Sequence, residues 1–208
     1  MRSEAAMAPR KYDLGKRAES VEDTKRRIID ATFELHNEQG VAATTLPEVA
    51  QRADVALGTV YRYFPTIDDL VAGCSGHVMS MLLPPGPEIF AGVEPLAKRV
   101  GILVRERFAM YERGARQIEV ARCEQDRVAA LRGWVQQDAQ QHADLVREAM
   151  RRVGRRAPIV NRVVALTDFY VWRAFANNGV PTQQAAEIIA VAVLATITGA
   201  SAQKESRP

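Results

Sequence analysis

The ten residues VALGTVYRYF, at positions 55–64, decide how the rest of the chain is read. Val60 and Phe64 stand four apart and mark the inner face of a short helix. That leaves Leu57, Thr59, Tyr61, Arg62 and Tyr63 pointing largely outward. Gly58 adds no side chain and lets the backbone come close to another surface. Hydroxyls and a guanidinium near a helix N-terminus suit phosphate oxygens and base edges. The stretch therefore reads as a helix built to lie in a DNA major groove, with Leu57 offering an apolar tip to a thymine methyl or to a neighbouring helix.

The flanking sequence supports that reading. From Val21 apolar residues recur at three- and four-residue spacing, with Ile28, Ile29, Phe33 and Leu35, until Gly40 ends a first helix. In TTLPEVAQRA, Thr45 and Glu48 have the spacing of a capping box, and Pro47 is tolerated in a first turn. A second short helix reaches about Ala53, a tight turn follows, and Pro65 closes the third. Thr66 and Asp69 repeat the capping-box spacing at the start of a fourth helix. Two short helices joined by a tight turn, after a longer one, make a helix-turn-helix unit.

Over about residues 22–72 the chain resembles the DNA-binding domain of the TetR family of transcriptional regulators. The resemblance rests on Gly40, the Thr44–Thr45 entry, the GTVYRYF helix and the capped fourth helix. It implies that Thr45, Gly58, Thr59, Tyr61 and Tyr63 touch phosphates or bases; with Thr44 beside Thr45, and Leu57 and Arg62 on the outward face of the helix, they form the expected DNA-contacting set. Three positions depart from the family. Asp54 replaces the glycine of the turn, Ala56 replaces a serine whose hydroxyl would cap the third helix, and Ile67 stands where a phosphate-binding lysine is frequent. His36 occupies a usually apolar position and reads as a satisfied or partly exposed core histidine.

Charge alone does not nominate this region. The chain carries a net charge of +3, yet residues 21–70 hold five basic and nine acidic side chains. Residues 1–20 hold five basic and three acidic side chains and read as a disordered basic arm. With 208 residues, 47% hydrophobic and 25% charged, the chain can bury a sizeable core. Two cysteines, Cys74 and Cys123, are too few for a disulfide framework. The first residues lack the apolar segment of a signal peptide, and the run Ile188–Ala200 is short for a membrane span. A cytoplasmic protein with no membrane contact is expected. The Cys74–His77 spacing lacks a second pair, so no metal and no cofactor are expected.

The remainder shows helical periodicity and no strand pattern, so the fold class is all-α. Three regions are expected: the arm (1–20), a helix-turn-helix domain (21–65) and a helical regulatory and dimerisation domain (66–208). Within the last, helices are expected over about 94–113, 116–124, 127–152, 159–176 and 183–199. The arginine-rich stretch around Arg147–Arg156 reads as a solvated loop beside a helix end. The final two helices are apolar on more than one side and predict a homodimer through a four-helix interface. Asp138 and His142 interrupt an apolar stripe and need partners. They either anchor a small-molecule effector, with Arg107, Phe108, Tyr111, Trp134, Phe169 and Trp172 around it, or hold helices together. The function expected is a sequence-specific transcriptional regulator, a repressor released from a near-palindromic double-stranded operator by an apolar or amphipathic ligand. The alternatives are a regulator answering to a protein or to no ligand, and an all-α enzyme or carrier using Asp138 and His142.

Overall fold

A computed structural model describes residues 14–151 and 157–205, with side chains over 19–151 and 157–199. The described residues form ten α-helices, one short 3-10 turn and no strand. The chain divides into two compact units, the first reaching Leu70 and the second starting at Val71. The expected division was at residue 65.

In the first unit, α1 (Leu14–Gln39), α2 (Leu46–Arg52) and α3 (Leu57–Tyr63) are followed by the start of α4 (Ile67–Leu82). Ile28, Ala31 and Leu35 of α1 meet Val49, Ala50, Val60, Phe64 and Leu70 in one apolar core. Helix α1 begins at Leu14 rather than Val21. Of the expected disordered arm, residues 14–20 are therefore helical, and residues 1–13 lie outside the described residues. The segment LGKRAES holds Leu, Lys, Arg, Ala and Glu, residues of high helix propensity that favour extending the helix backwards. Gly40 adopts φ 91° and donates its N–H to the His36 carbonyl, which stops α1.

Both capping boxes form. The Glu48 N–H reaches the Thr45 hydroxyl at 3.4 Å, while the Thr45 N–H donates to the Glu48 carboxylate at 2.9 Å. At α4 the corresponding distances for Thr66 and Asp69 are 3.1 and 2.9 Å. Each box satisfies two N–H groups that the helix itself leaves without partners.

The second unit comprises the rest of α4, a 3-10 turn at Pro87–Phe90, α5 (Leu96–Arg113), α6 (Ala115–Glu124), α7 (Ala129–Ala149), α8 (Ala157–Leu166), α9 (Phe169–Asn177) and α10 (Thr182–Glu205). Residues 152–156, most of the arginine-rich stretch, lie outside the described residues. The helix expected over 159–176 is two helices. Asp168 breaks it, in extended backbone, and accepts the Tyr170 N–H at 3.0 Å as the N-cap of α9. Arg122 of α6 holds the same carboxylate at 2.8 Å, so a long-range ion pair fixes the break.

Helix α10 packs chiefly on α5. Ala185, Ile189, Val193 and Ile197 form its buried face. By length and composition alone, Thr182–Gly199 could cross a membrane. It extends the uncharged run Ile188–Ala200 backwards across Glu187, two glutamines and Thr182, and the whole segment stays apolar on average. Of this segment 28% is buried, on the face turned to α5.

Arg99 is fully buried in α5, an outcome the periodicity did not show. Its Nε donates to the Ala149 carbonyl at 3.1 Å, its Nη1 to the Val93 carbonyl at 3.0 Å, and its Nη2 to the Glu148 carboxylate at 2.9 Å. It thereby satisfies carbonyls that the end of α7 leaves unpaired.

Candidate functional site

Helix α3 is anchored from beneath and free above. Val60 has no exposed surface and Phe64 is buried. Leu57 and Tyr61 are 38% and 49% exposed, among the few large apolar side chains the protein leaves in solvent. Gly58 and Arg62 are also exposed, and a methyl built on Gly58 would meet no atom within 4 Å. Thr59 and Tyr63 are half-buried. Tyr63 rests on the apolar core, with Lys25 Nζ 5.8 Å and the Arg62 guanidinium 5.6 Å from its ring centroid. It is therefore less outward than its sequence position suggested.

Thr44 is a correction. It is 3% exposed, and its hydroxyl donates to the Gly40 carbonyl at 2.7 Å. Its side chain closes the turn after α1 and does not reach the surface. Thr45 is exposed. Lys25 was missed, because nothing in the sequence ties a residue on α1 to Tyr63; only the packing of α1 under α3 brings them together.

The three departures have physical consequences. Asp54 takes φ 52° in the turn between α2 and α3, a left-handed conformation that Asp tolerates better than most residues. Its carbonyl accepts from Arg27 at 3.4 Å. Ala56 gives α3 no side-chain cap. Ile67 packs against the first unit's core, so the position serves burial rather than a phosphate.

His36 is partly exposed, one of the two states expected for it, and it is not satisfied. Its Nε2 is buried with no hydrogen-bond partner, and burial pushes its pKa down to about 4. In the unfolded chain the imidazole takes a proton near 6.5. Between these values the unfolded state binds more protons, so stability falls as pH falls through that window, by up to about 1.4 kcal/mol per pH unit. Urea unfolding of the intact chain at pH 7, 6, 5 and 4 will show this slope in the transition of the first unit. His36→Leu will flatten it.

In the second unit the expected effector residues form a closed polar network. Arg107, 2% exposed, grips Asp138 with Nη1 at 2.9 Å and Nη2 at 3.2 Å. Nη2 also donates to the Tyr111 hydroxyl at 2.8 Å, and Tyr111 donates onward to the Thr167 carbonyl at 3.1 Å. Burial pushes Tyr111 up to about 12, so it remains a neutral phenol. His142 Nε2 lies 2.8 Å from the Thr167 hydroxyl. That hydroxyl gives its proton to the Val163 carbonyl at 2.8 Å, so Nε2 carries hydrogen and donates. Burial, Arg107 and Arg122 all hold His142 well below its usual pKa, and it is neutral.

Asp138 and His142 thus take separate partners, which removes the basis for an acid–base pair. Phe108, Tyr111, Phe169 and Trp172 are packed into the core, ring against ring, with centroids 5.5 Å apart for Tyr111 and Phe169. None of the four lines the notch that opens beside the network.

A notch of about 190 Å³ opens beside this network. Met79, Leu82, Pro84, Met110 and Trp134 give it apolar walls, and Ser75, Gln137, Gln141 and Asp138 give it polar groups. Of the eight expected effector residues, Trp134 and Asp138 line it. Met79, Met110, Gln137 and Gln141 were not singled out from sequence. Gln137 and Gln141 lie one turn apart on α7 beside Asp138, and that spacing was the available signal.

Residues 28–74 match the family described as bacterial regulatory proteins, tetR family. The HTH-type transcriptional repressor KstR of Mycobacterium tuberculosis (strain ATCC 25618 / H37Rv) is 38% identical over 65 residues, covering 31% of this chain and 30% of the relative. KstR of Mycolicibacterium smegmatis (strain ATCC 700084 / mc(2)155) is 41% identical over 60 residues, covering 29% of each. The HTH-type transcriptional regulator BetI of Burkholderia thailandensis is 40% identical over 55 residues, covering 26% of this chain and 28% of the relative. The chain thus spans less than a third of the length of these curated relatives. Two solved structures share the fold over most of the chain. A TetR-like transcriptional regulator from Rhodococcus sp. RHA1 has a TM-score of 0.60 at 16% identity, covering 85% of this chain and 96% of that one. The multidrug binding protein EbrR, complexed with imidazole, has a TM-score of 0.57 at 22% identity, covering 88% and 95%.

Proposed function

We propose that the chain, whose residues 28–74 match the tetR family of bacterial regulatory proteins, is a TetR-family regulator: a dimeric, sequence-specific transcriptional repressor, released from its operator by a small ligand. One observation carries the reading. Leu57, Gly58, Tyr61 and Arg62 stand in solvent on a helix whose opposite residues, Val60 and Phe64, are locked in the core. A rigid helix with an aromatic hydroxyl, a guanidinium and a bare backbone on its outer face suits a major groove.

A single seven-residue helix offers few contacts, so two copies on adjacent half-sites are needed for useful affinity. Helix α10 supports pairing. Ile188 and Val191 are 45% and 68% exposed on the side away from its buried face. An uncovered apolar stripe on the terminal helix favours a second copy as its cover. Val191→Glu will place two like charges at a two-fold contact, and sedimentation will show monomer in place of dimer. Persistence of the dimer would move the interface elsewhere.

Such a protein works on DNA in the cytoplasm. Ligand and operator oppose each other through one reciprocal coupling free energy. The test of DNA function is selection of bound fragments from a random duplex pool at fixed moderate salt, with Tyr61→Ala as control. Enrichment of a near-palindrome by the native chain alone supports the reading; equal enrichment by both proteins, or none, overturns it.

A further inference from the structure

We infer that the notch beside Asp138 accepts a neutral, single-ring aromatic alcohol, a phenol or benzyl alcohol, rather than a cation or an acid; this rests on the proposed ligand-released repressor.

Size sets the first limit. An engineered apolar cavity of about 150 Å³ holds benzene. The notch measures about 190 Å³, room for one ring and a substituent, and below the usual range for drug-sized ligands. The walls set the second. Met79 and Met110 offer thioethers and Trp134 an indole, groups that favour contact with an aromatic ring.

Charge sets the third limit. An ionised carboxylate has about four acceptor positions, and the Arg107 fork uses one on each oxygen of Asp138. Asp138 lines the notch, so its remaining acceptor capacity borders the ligand's space. A hydroxyl can donate there. An ammonium gains little, because Arg107 already balances the carboxylate and the ammonium must shed its water. A carboxylate ligand would meet Asp138 itself. Gln137 and Gln141 add neutral amides to the wall, which favour a polar but uncharged group.

The test compares four ring compounds of similar size against the intact chain: p-cresol, 4-methylanisole, benzylamine and benzoate. Titration calorimetry gives affinity. Carbon-labelled methionine methyls report the place, with Met79→Leu identifying its signal. The expected result is that p-cresol binds at least about tenfold more tightly than the other three and shifts the Met79 methyl. Gln141→Ala, an exposed change that leaves the fold alone, weakens p-cresol and not 4-methylanisole. Equal or tighter binding of benzoate, benzylamine or 4-methylanisole overturns the inference. So does the absence of any binding at millimolar ligand, or a shift confined to methyls other than Met79 and Met110. Operator binding, measured separately without ligand, distinguishes the two failures. If it is intact while the ring compounds fail, only the ligand class is wrong; if it is absent while p-cresol binds, only the repressor reading is wrong.

Discussion

Replacing Asp138 with alanine will destabilise the second unit by about 3–5 kcal/mol, because the substitution leaves a buried cation without its partner. Arg107 is 2% exposed, its Nε already lacks a hydrogen-bond partner, and Asp138 supplies two of its contacts. The alanine protein will show an early urea transition and, at 37 °C, a fraction of unfolded chain. Removing both charges will do less damage. Arg107→Met with Asp138→Ala deletes the desolvation cost along with the pairing, and buried pairs replaced by apolar residues are often near neutral in stability. The double variant should therefore be more stable than Asp138→Ala alone. A double variant that merely adds the two single effects would show that the pair is not coupled.

Gly58→Ala will separate folding from DNA binding. A methyl at Gly58 meets nothing in the protein, and alanine favours helix by up to about 1 kcal/mol over glycine. The variant should thus unfold at an equal or slightly higher urea concentration than the native chain. Its operator affinity should fall by about tenfold to a hundredfold, the effect of a methyl group where the helix backbone must approach DNA. Electrophoretic retardation with the selected operator measures the loss, and Leu57 and Tyr61 on the same face provide comparison variants. Unchanged affinity would mean that this side of α3 does not enter the groove.

Much of the first unit was legible because its signals are local. Capping boxes need residues three apart, and both formed. A stop at Gly40 needs only a residue that tolerates positive φ. The Val60–Phe64 spacing was enough to identify the inner face of α3. Thr44 and Tyr63 were harder. Both look exposed by sequence position, yet Thr44 turns inward to bond the Gly40 carbonyl and Tyr63 packs against the core of the first unit.

The second unit was legible as helices and not as a site. The α7 stripe of Leu131, Val135, Asp138, His142, Leu145 and Ala149 is a buried face except at Val135, which is half-buried. It was silent about partners, since Arg107, Tyr111 and Thr167 lie on other helices at separations no periodicity encodes. Aromatic residues at helical spacing were equally ambiguous: Phe108, Phe169 and Trp172 fill the core, while Trp134 alone among the predicted rings reaches the notch. Asp168 showed the same limit, because a helix break held by an ion pair from α6 leaves little trace within its own segment.

By itself the sequence determined an all-α chain, the helix-turn-helix with its exposed α3 face, and the resemblance that follows from it. These depend on hydrogen bonds and side-chain periods spanning a few residues. Tertiary structure alone decided that Arg107 and Asp138 neutralise each other, that Thr44 is sealed, and that an open notch lies beside Trp134. Burial and charge compensation are properties of helices packed together, and a single helix carries only half of each contact.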